Sequence, residues 1–476
     1  MKNDIILSAF LLAIATAAPA KVTPSSLIGD NMVLQQNTDA YLWGTAQPDA
    51  TVEVTPSWDN RKYTIRADSQ GDWKVCVATP AASFESYDIT ISDGEPLTVH
   101  NVLVGEVWLA SGQSNMGMGL GGFSGCNVSG GYEEVAFAGQ WADRIRFFTV
   151  PIRESMTPLE TTPGAWAVPS VDTAADFSAV AWFFAKQLSA ALDVPVGIVA
   201  NPHGGARVES WMPRELLEKY PDVPLTAETM EAWPPNFRPM LRYNAMFFPV
   251  RNYTVKGIIW YQGCSNVAIY ESYAERLRAM VERWRSDLGG GEDLPFYAVE
   301  IAPFQCPGDR AGKSPYLREE QWKAIDSIPN SAMTGTNDLV QPFERYNIHP
   351  SEKKTVGYRL CNLALNRTYG KRHIPVNHPR YKSHRIDGRE VRVAFSGLDR
   401  GICRDYDIRG FELAGADRVF HPADSARYEW QTGEIIVSSE AVKAPVAVRY
   451  CFKDFETGTV YGGNWLPLIP FRSDNW

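Results

Sequence analysis

The spacing of apolar and polar residues changes twice along the chain. Over residues 21–100, short alternating runs such as Tyr87 to Ile91 are separated by Pro, Gly, Asp and Asn, which predicts an N-terminal β-sandwich domain. Over residues 101–370, apolar strands alternate with helical patterns, which predicts an α/β domain with a doubly wound parallel sheet. Short strands return in residues 371–476 and predict a C-terminal β-rich region.

Three apolar runs of the central region each end in a polar loop that contains glycine. Val102 to Ala110 leads into Ser-Gly-Gln-Ser-Asn, Val194 to Ala200 into Asn-Pro-His-Gly-Gly-Ala-Arg, and Gly257 to Trp260 into Tyr-Gln-Gly-Cys-Ser-Asn. The carboxyl ends of parallel strands share one edge of an open sheet, where α/β proteins bind their ligands. We therefore expect the three loops to lie together and to form a site.

Ser114, in the first of these loops, is the candidate nucleophile. Small residues on both sides let the backbone turn sharply after a buried strand and leave the hydroxyl uncovered. The alternative is an ordinary strand-to-helix turn in which Ser114 is the helix N-cap, since serine is favoured there. His349, in a later Asn-Ile-His-Pro segment, is the candidate base, because acyl transfer needs a base within reach of the nucleophile.

The order of these segments resembles the SGNH hydrolase superfamily. The stretches Val-Trp-Leu-Ala-Ser-Gly-Gln-Ser-Asn-Met, Gly-Gly-Ala-Arg-Val-Glu-Ser-Trp, Ile-Trp-Tyr-Gln-Gly and Asn-Ile-His-Pro are similar to the sialate O-acetylesterase family of carbohydrate esterases. The resemblance implies an SGNH-type sheet flanked by N-terminal and C-terminal β-rich domains. It also implies a serine esterase, without metal or cofactor, that removes O-acetyl groups from sugars through an acetyl-serine intermediate.

The substrate and the activity each have an alternative. Acetylated xylan or another polysaccharide rivals acetylated sialic acid, since sugar-contacting loops are not readable from one sequence. A non-catalytic carbohydrate-binding protein on a dead esterase scaffold is the alternative of another class. It rests on the missing Asp-x-x-His motif and on Cys264, which stands where relatives commonly carry Glu.

The residue that orients His349 is not evident from the motif. Tyr346 stands where an Asp-x-x-His motif would place its aspartate. We predict that Asp338, at the end of the preceding predicted strand, has this role, since the resembled family often carries an acidic residue there. Glu344, Asn347 and a plain Ser-His dyad are the alternatives.

The oxyanion formed during acyl transfer is predicted to be bound by groups from all three glycine loops. We assign the backbone amides of Ser114 and Gly205, together with a side-chain amide from either Gln262 or Asn266. Cys264 is assigned to shaping the third loop, since nothing basic beside it would activate a thiol for attack.

Arg207 and Trp211 follow the glycine loop and are the predicted substrate contacts. Their alternatives are a salt bridge and a packed indole. The chain has 15 tryptophans and 20 tyrosines, so that most of these rings are expected in the core and a few on a sugar-stacking surface.

Charge and cysteine content exclude several classes of protein. The net charge is −9, without a Lys/Arg cluster, which argues against nucleic acid or anionic membrane as a partner. The seven cysteines have no Cys-x-x-Cys spacing, so no metal site is predicted. Their odd number leaves at least one thiol outside intrachain disulfides.

Residues 1–20 are predicted to be a signal peptide. Lys2 precedes an apolar stretch from Ile5 to Ala18, and Ala-Pro-Ala follows the pattern that signal peptidase cuts. A membrane anchor is the alternative, but the stretch is short for a hydrocarbon core of roughly 30 Å. We therefore expect a periplasmic or secreted protein whose mature chain has no membrane span.

Overall fold

The computed structural model describes residues 21–398, 400–403 and 406–476. The predicted signal peptide lies outside the described residues. Within them, no helix combines the length and the apolar character that crossing a bilayer requires.

Eight strands form the N-terminal part of the fold. Their alternating side chains place one face in a shared apolar core. β1, β3 and β6 form an antiparallel sheet, while β4 pairs with β5 and β7. The strands are β1 Thr23–Pro24, β2 Val33–Gln35, β3 Asp39–Thr45, β4 Thr51–Pro56, β5 Tyr63–Arg66, β6 Asp72–Ala78, β7 Ser83–Ser92 and β8 Pro96–Gly112.

The central part alternates strands with helices, because continuous apolar runs alternate there with helical patterns. The strands are β9 Ile145–Thr149, β10 Trp166–Ala167, β11 Val196–Pro202, β12 Gly257–Tyr261, β13 Phe296–Val299 and β14 Ser331–Thr334. The helices are α1 Ser114–Gly117, α2 Gly131–Ala136, α3 Ala179–Leu192, α4 Arg214–Leu217, α5 Ala227–Glu231, α6 Tyr273–Asp287, α7 Ser314–Ser327 and α8 Lys354–Leu363.

Short 3₁₀ and π helices occupy the loops between these elements. The 3₁₀ helices are Ala138–Trp141, Ala174–Asp176, Val208–Trp211, Pro235–Phe237, Phe248–Val250, Cys264–Ser272, Gly291–Asp293, Gly308–Arg310 and Pro342–Glu344. The π helices are Tyr243–Phe247 and Ala364–Thr368.

The central sheet has the strand order β10-β9-β11-β8-β12-β13-β14, with every pair parallel except β10 with β9. Helices α3 and α8 pack on one face, and α6 and α7 pack on the other. This confirms the doubly wound sheet predicted from the alternation of strands and helices.

The C-terminal part consists of two four-stranded antiparallel sheets around a separate apolar core, in agreement with the predicted β-rich region. Their orders are β15-β16-β20-β19 and β18-β17-β21-β22. The strands are β15 Arg380–Asp387, β16 Glu390–Ser396, β17 Phe411–Ala414, β18 Phe420–Pro422, β19 Ser425–Glu429, β20 Glu434–Ser438, β21 Ala447–Tyr450 and β22 Phe471–Arg472.

Strand β8 belongs to both the N-terminal and the central parts. Its first half is antiparallel to β7, and its second half is parallel to β11 and β12. The domain boundary predicted near residue 100 lies inside this strand. The nucleophile's strand is therefore paired along its whole length, which makes its carboxyl end a rigid support.

The end of β8 is also the point where the chain changes direction across the sheet. The chain adds β9 and β11 on one side of β8 and then β12, β13 and β14 on the other. Gly112 lies level with Pro202 of β11 and Tyr261 of β12. The three glycine loops thus begin at the same edge, at the switch point where open α/β sheets bind ligands.

Candidate active site

Ser114 is the first residue of the short helix α1, which begins two residues after the end of β8. Gly112 permits the turn, because its backbone has a φ of 133° and a Cβ there would collide with the carbonyl group of Tyr261. The residue at the N-cap is Gln113, and no side chain caps the helix. The alternative in which Ser114 is merely the N-cap is therefore wrong.

The hydroxyl group of Ser114 forms a hydrogen bond with the ring of His349. The distance between Oγ and Nε2 is 2.8 Å, across 235 residues of sequence. The ring lies edge-on to Phe123, with 5.1 Å between the ring centroids. Burial and, secondly, the charge of Lys353 lower the pKa of His349. A neutral imidazole in this position can accept the serine proton.

The loop that carries His349 is bonded to the protein on both sides of the histidine. Asn115 Nδ2 donates to the carbonyl oxygen of Ile348 at 3.0 Å. Lys353 Nζ donates to the carbonyl oxygen of Pro350 at 2.6 Å. No role was predicted for Asn115 or Lys353, although Asn115 lies within the nucleophile motif.

Asp338 does not orient His349, which corrects the prediction. Its carboxylate accepts two hydrogen bonds from the guanidinium group of Arg359, at 2.8 and 2.7 Å. The two side chains are only 5% and 7% exposed, respectively. A bidentate pair engages both carboxylate oxygens, and no hydrogen bond to His349 occurs among the described residues.

The two other candidates from the preceding loop bond to backbone groups. Glu344 accepts two backbone N–H groups, one of them from Ser351, at 2.9 and 2.8 Å. Asn347 Oδ1 accepts the backbone N–H of His349 at 2.9 Å and forms no hydrogen bond with the ring. In the described part of the chain, Ser114 and His349 thus form a dyad without an acidic third member.

We expect Asp338→Asn to reduce stability and to leave turnover nearly unchanged. The substitution buries the Arg359 charge without its partner, and breaking a buried pair in this way costs about 3–5 kcal/mol. Asp326→Asn, in the more exposed pair with Arg380, is the matched control and should cost less than about 1 kcal/mol. Thermal unfolding and turnover are measured on both variants. A ~10²-fold loss of turnover at unchanged stability would restore Asp338 as the triad acid.

The second glycine loop lies beside the nucleophile. A Cβ on Gly204 would lie 3.8 Å from the Cβ of Ser114. Gly205 has a φ of 73°, a left-handed conformation that favours glycine. Within the described residues, the backbone N–H groups of Ser114 and Gly205 have no protein acceptor. The loop that carries Gly205 thus lies beside the nucleophile, and the two predicted backbone donors are available for a ligand.

The two side-chain amides predicted as the third oxyanion donor are occupied, which corrects that prediction. Gln262 Nε2 donates to the carbonyl oxygen of Ala206 at 3.0 Å and to Asn266 Oδ1 at 2.8 Å. Asn266 Nδ2 donates to the carboxylate of Glu209 at 3.0 Å. Both amides are fully buried. They tie the third loop to the glycine loop and have no donor left for substrate.

Two other side-chain amides lie next to the predicted backbone donors in sequence or in space. Gln113 Oε1 accepts the backbone N–H of Gly263 at 2.8 Å. Asn236 covers Gly205, where its Nδ2 occupies the space of a Cβ. Neither Gln113 Nε2 nor Asn236 Nδ2 has an acceptor among the described residues. Gln113 lies in the nucleophile motif, whereas no motif marked Asn236.

Arg207 lies between two aromatic rings at the edge of the glycine loop. Its Cζ is 5.1 Å from the ring centroid of Trp233 and 4.2 Å from that of Phe237. Its Nε donates to the carbonyl oxygen of Ser265 at 3.1 Å. Burial is the main cause that lowers its pKa, and no carboxylate of the described residues forms an ion pair with it. The charged tip is therefore available for an anionic ligand.

Trp211 is a core residue and not a substrate contact, contrary to the prediction. Its side chain is fully buried. Its ring lies edge-to-face with Trp260 and Trp284, at centroid distances of 6.2 and 5.9 Å. The helical turn of Val208–Trp211 points this indole into the core, so the packed-indole alternative holds.

Cys264 has no property of a nucleophile. Its thiol is buried, and burial raises its pKa to about 12, so the reactive thiolate is absent at neutral pH. Among the residues that the structure describes, no group of three or more His, Cys, Asp or Glu side chains is arranged to hold a metal ion.

Comparison with known proteins gives consistent findings. The family model for carbohydrate esterases, sialic acid-specific acetylesterase, matches residues 104–366. Sialate O-acetylesterase of Mus musculus is 28% identical over 521 residues, with 94% of this chain and 93% of that protein covered. The Homo sapiens protein is 29% identical over 392 residues, with 75% and 72% covered. A carbohydrate acetylesterase from Xanthomonas citri, of known structure, is 35% identical with a TM-score of 0.84, covering 96% of this chain and 100% of that one.

Proposed function

The chain belongs to the carbohydrate esterase family of sialic acid-specific acetylesterases, and we propose that it removes O-acetyl groups from acetylated sialic acids. It is a carboxylic-ester hydrolase of the sialate O-acetylesterase type. The observation that carries the proposal is the 2.8 Å hydrogen bond between Ser114 Oγ and His349 Nε2 at the switch point of the sheet. A carbohydrate-binding protein on a dead scaffold would have no use for this pair.

The mechanism proceeds through an acetyl-serine intermediate. His349 accepts the proton of Ser114 while Oγ attacks the acetyl carbonyl carbon, and the carbonyl oxygen becomes negative. The backbone N–H groups of Ser114 and Gly205 stabilise this oxyanion. His349 then protonates the sugar oxygen as its bond to the acetyl carbon breaks. A water molecule, deprotonated by His349, then attacks the acetyl carbon. The bond to Ser114 Oγ breaks, His349 returns the proton to Oγ, and acetate leaves.

The unpaired guanidinium group of Arg207 favours an acidic sugar as the substrate. The charges of Glu209 and Asp309 favour the charged form of this half-buried group, but neither carboxylate pairs with it directly, so that a ligand carboxylate can bind its N–H groups. Sialic acids carry a carboxylate at neutral pH, whereas a xylan chain of unsubstituted xylose is neutral. The stacking of Arg207 on Trp233 and Phe237 holds the guanidinium plane in one orientation, which suits bidentate binding of a carboxylate.

Acetate release from acetylated sialosides and from acetylated xylan oligosaccharides tests the substrate class. We expect a higher kcat/KM on the sialosides. We expect Arg207→Gln to raise KM for the sialosides about tenfold or more, since a charge-assisted hydrogen bond contributes about 1.5–3 kcal/mol. The rise for the neutral oligosaccharides should be smaller. Arg214→Gln, at an exposed arginine of the same segment that bonds the Leu225 carbonyl oxygen, is the matched control.

Equal losses on the acidic and neutral substrates would contradict the role of Arg207 in charge recognition. Faster acetate release from xylan than from the sialosides would instead assign the enzyme to polysaccharide deacetylation.

We infer that the enzyme works outside the cytoplasm. Support comes from the signal-peptide pattern of residues 1–20. The mass of the exported chain tests this, since cleavage after Ala20 gives a mature protein that begins at Lys21.

A further inference from the structure

Asn115 and Lys353 are bonded to each other as well as to the histidine loop. Lys353 Nζ donates to Asn115 Oδ1 at 2.8 Å. Together with the bonds to the carbonyl groups of Ile348 and Pro350, this closes a ring of hydrogen bonds around the backbone of His349. The two side chains are 1% and 0% exposed. A buried and connected polar network has one preferred arrangement and is rigid.

Burial of the Lys353 ammonium group costs free energy, and apolar packing does not account for its presence. It forms no ion pair among the described residues. The charges of Glu344 and Glu352 and the thiols of Cys264 and Cys126 act on it, but burial dominates and lowers its pKa to about 7. Replacing buried charges by apolar side chains of similar size is often neutral or stabilising. We therefore attribute the presence of the lysine to its donors or its charge.

We propose that Asn115 and Lys353 are positioning residues that fix the backbone on both sides of His349 and so replace the orienting acid of a Ser-His-Asp triad. The inference rests on the proposed function, because it assigns the two residues a role relative to the dyad. In a triad the carboxylate bonds to Nδ1 and holds the ring in its productive orientation. Here the orientation comes from the carbonyl groups of Ile348 and Pro350, one on each side of the histidine, and Asn115 connects the first of them directly to the nucleophile helix.

The charge on Lys353 is expected to shift the acid limb of the pH profile. Lys353 is the charged group that acts on His349, and Ser114, Phe123 and Asn347 are its uncharged neighbours. Burial of the ring is the larger cause that lowers the pKa of His349, and the nearby cation lowers it further because it disfavours the imidazolium form. The base form of His349 therefore persists to lower pH. The acid limb of kcat/KM in the wild-type enzyme should therefore lie below the ordinary histidine value of about 6.5.

Lys353→Met tests the proposal, with Lys354→Met as the matched control. Methionine keeps the length of the side chain and removes both the donor and the charge. We expect kcat to fall by about 10- to 100-fold, since small misplacements of a catalytic group cost up to that much. The acid limb should move upwards, because the repulsion on the imidazolium is gone. Lys354, the exposed neighbour on α8, should show neither effect.

Asn115→Ala separates positioning from charge. It removes the bond to Ile348 but leaves the Lys353 ammonium in place, so we expect a similar fall in kcat without an upward shift of the acid limb. A merely structural role would lower the melting temperature and the active fraction, and would leave the limb of the remaining enzyme unmoved. Circular dichroism and active-site titration of each variant supply that comparison.

Two results would overturn the proposal: wild-type kcat in folded Lys353→Met, or wild-type kcat in Asn115→Ala. Asn115→Ala decides the matter if Lys353→Met does not fold. Turnover that survives Ser114→Ala would instead refute the proposed function, whereas an inactive Ser114→Ala beside a fully active Asn115→Ala would refute the positioning role alone.

Discussion

Ser114→Ala is expected to lose at least ~10³-fold in turnover of an acetyl ester, with little change in the binding of a deacetylated sugar. The hydroxyl oxygen forms the bond to the acetyl carbon in the transition state and contributes little to ground-state affinity. Acetate release measures turnover, and calorimetric titration with the deacetylated sugar measures binding. Ser129→Ala, at an exposed serine in the segment between α1 and α2, is the matched control and should retain full activity.

Near-normal turnover in Ser114→Ala would place the chemistry at another residue. A loss of sugar binding equal to the loss of turnover would indicate that the variant disrupts the site as a whole. Because Ser114 Oγ bonds only to the ring of His349 among the described residues, its removal leaves no buried polar group without a partner apart from that ring.

His349→Ala is expected to lose a similar factor, ~10³-fold or more, and to lose the acid limb of the pH profile. The limb reports protonation of the base, which abolishes its ability to accept the serine proton. Since burial and the Lys353 charge lower the pKa of His349, activity in the wild-type enzyme should be complete at neutral pH and fall only below the ordinary histidine range. The residual turnover of His349→Ala should not change with pH in this range.

His373→Ala is the matched control for this experiment. His373 is exposed, so its removal should leave both the turnover and the acid limb unchanged. An acid limb that persists in His349→Ala at the wild-type position would assign the titrating base to another group.

The absence of an acidic third member makes this site more dependent on its backbone than a triad is. The imidazolium that forms in the transition state has no counter-charge among the described residues, so orientation must come from the loop itself. The Asx contact of Asn347 with the backbone of His349 and the bracing of the same loop by Glu344 contribute to that rigidity. The proposed positioning residues Asn115 and Lys353 add hydrogen bonds that link this loop directly to the nucleophile helix.

Much of this fold could be predicted from the local pattern of apolar and polar residues. The alternation of apolar strands and helical stretches determines a parallel sheet, because a right-handed crossover between parallel strands is the arrangement that covers both of its faces. The parallel sheet in turn determines that loops after successive strands meet at one edge. Ser114 and His349 could also be named from sequence, since the motifs that carry them suit their chemical roles and resemble those of a known esterase family.

The hydrogen-bond partners of individual side chains did not follow from the sequence, and only the tertiary structure decided them. Asp338 stands at a strand end suited to a triad acid, yet α8 presents Arg359 to it. Gln262 and Asn266 occupy the loop expected to supply a donor, yet Ala206 and Glu209 engage their amides.

The same holds for burial and for the histidine loop. The one-turn geometry of a short 3₁₀ helix sent Trp211 into the core rather than to the surface. Lys353 acquired its bond to Asn115 by the packing of the histidine loop against helix α1, across 238 positions of sequence. Periodicity and motif describe what a segment is made of and where it begins and ends. Which donor meets which acceptor depends on distances of a few tenths of an ångström between elements remote in sequence, and these arise only when the whole core is packed.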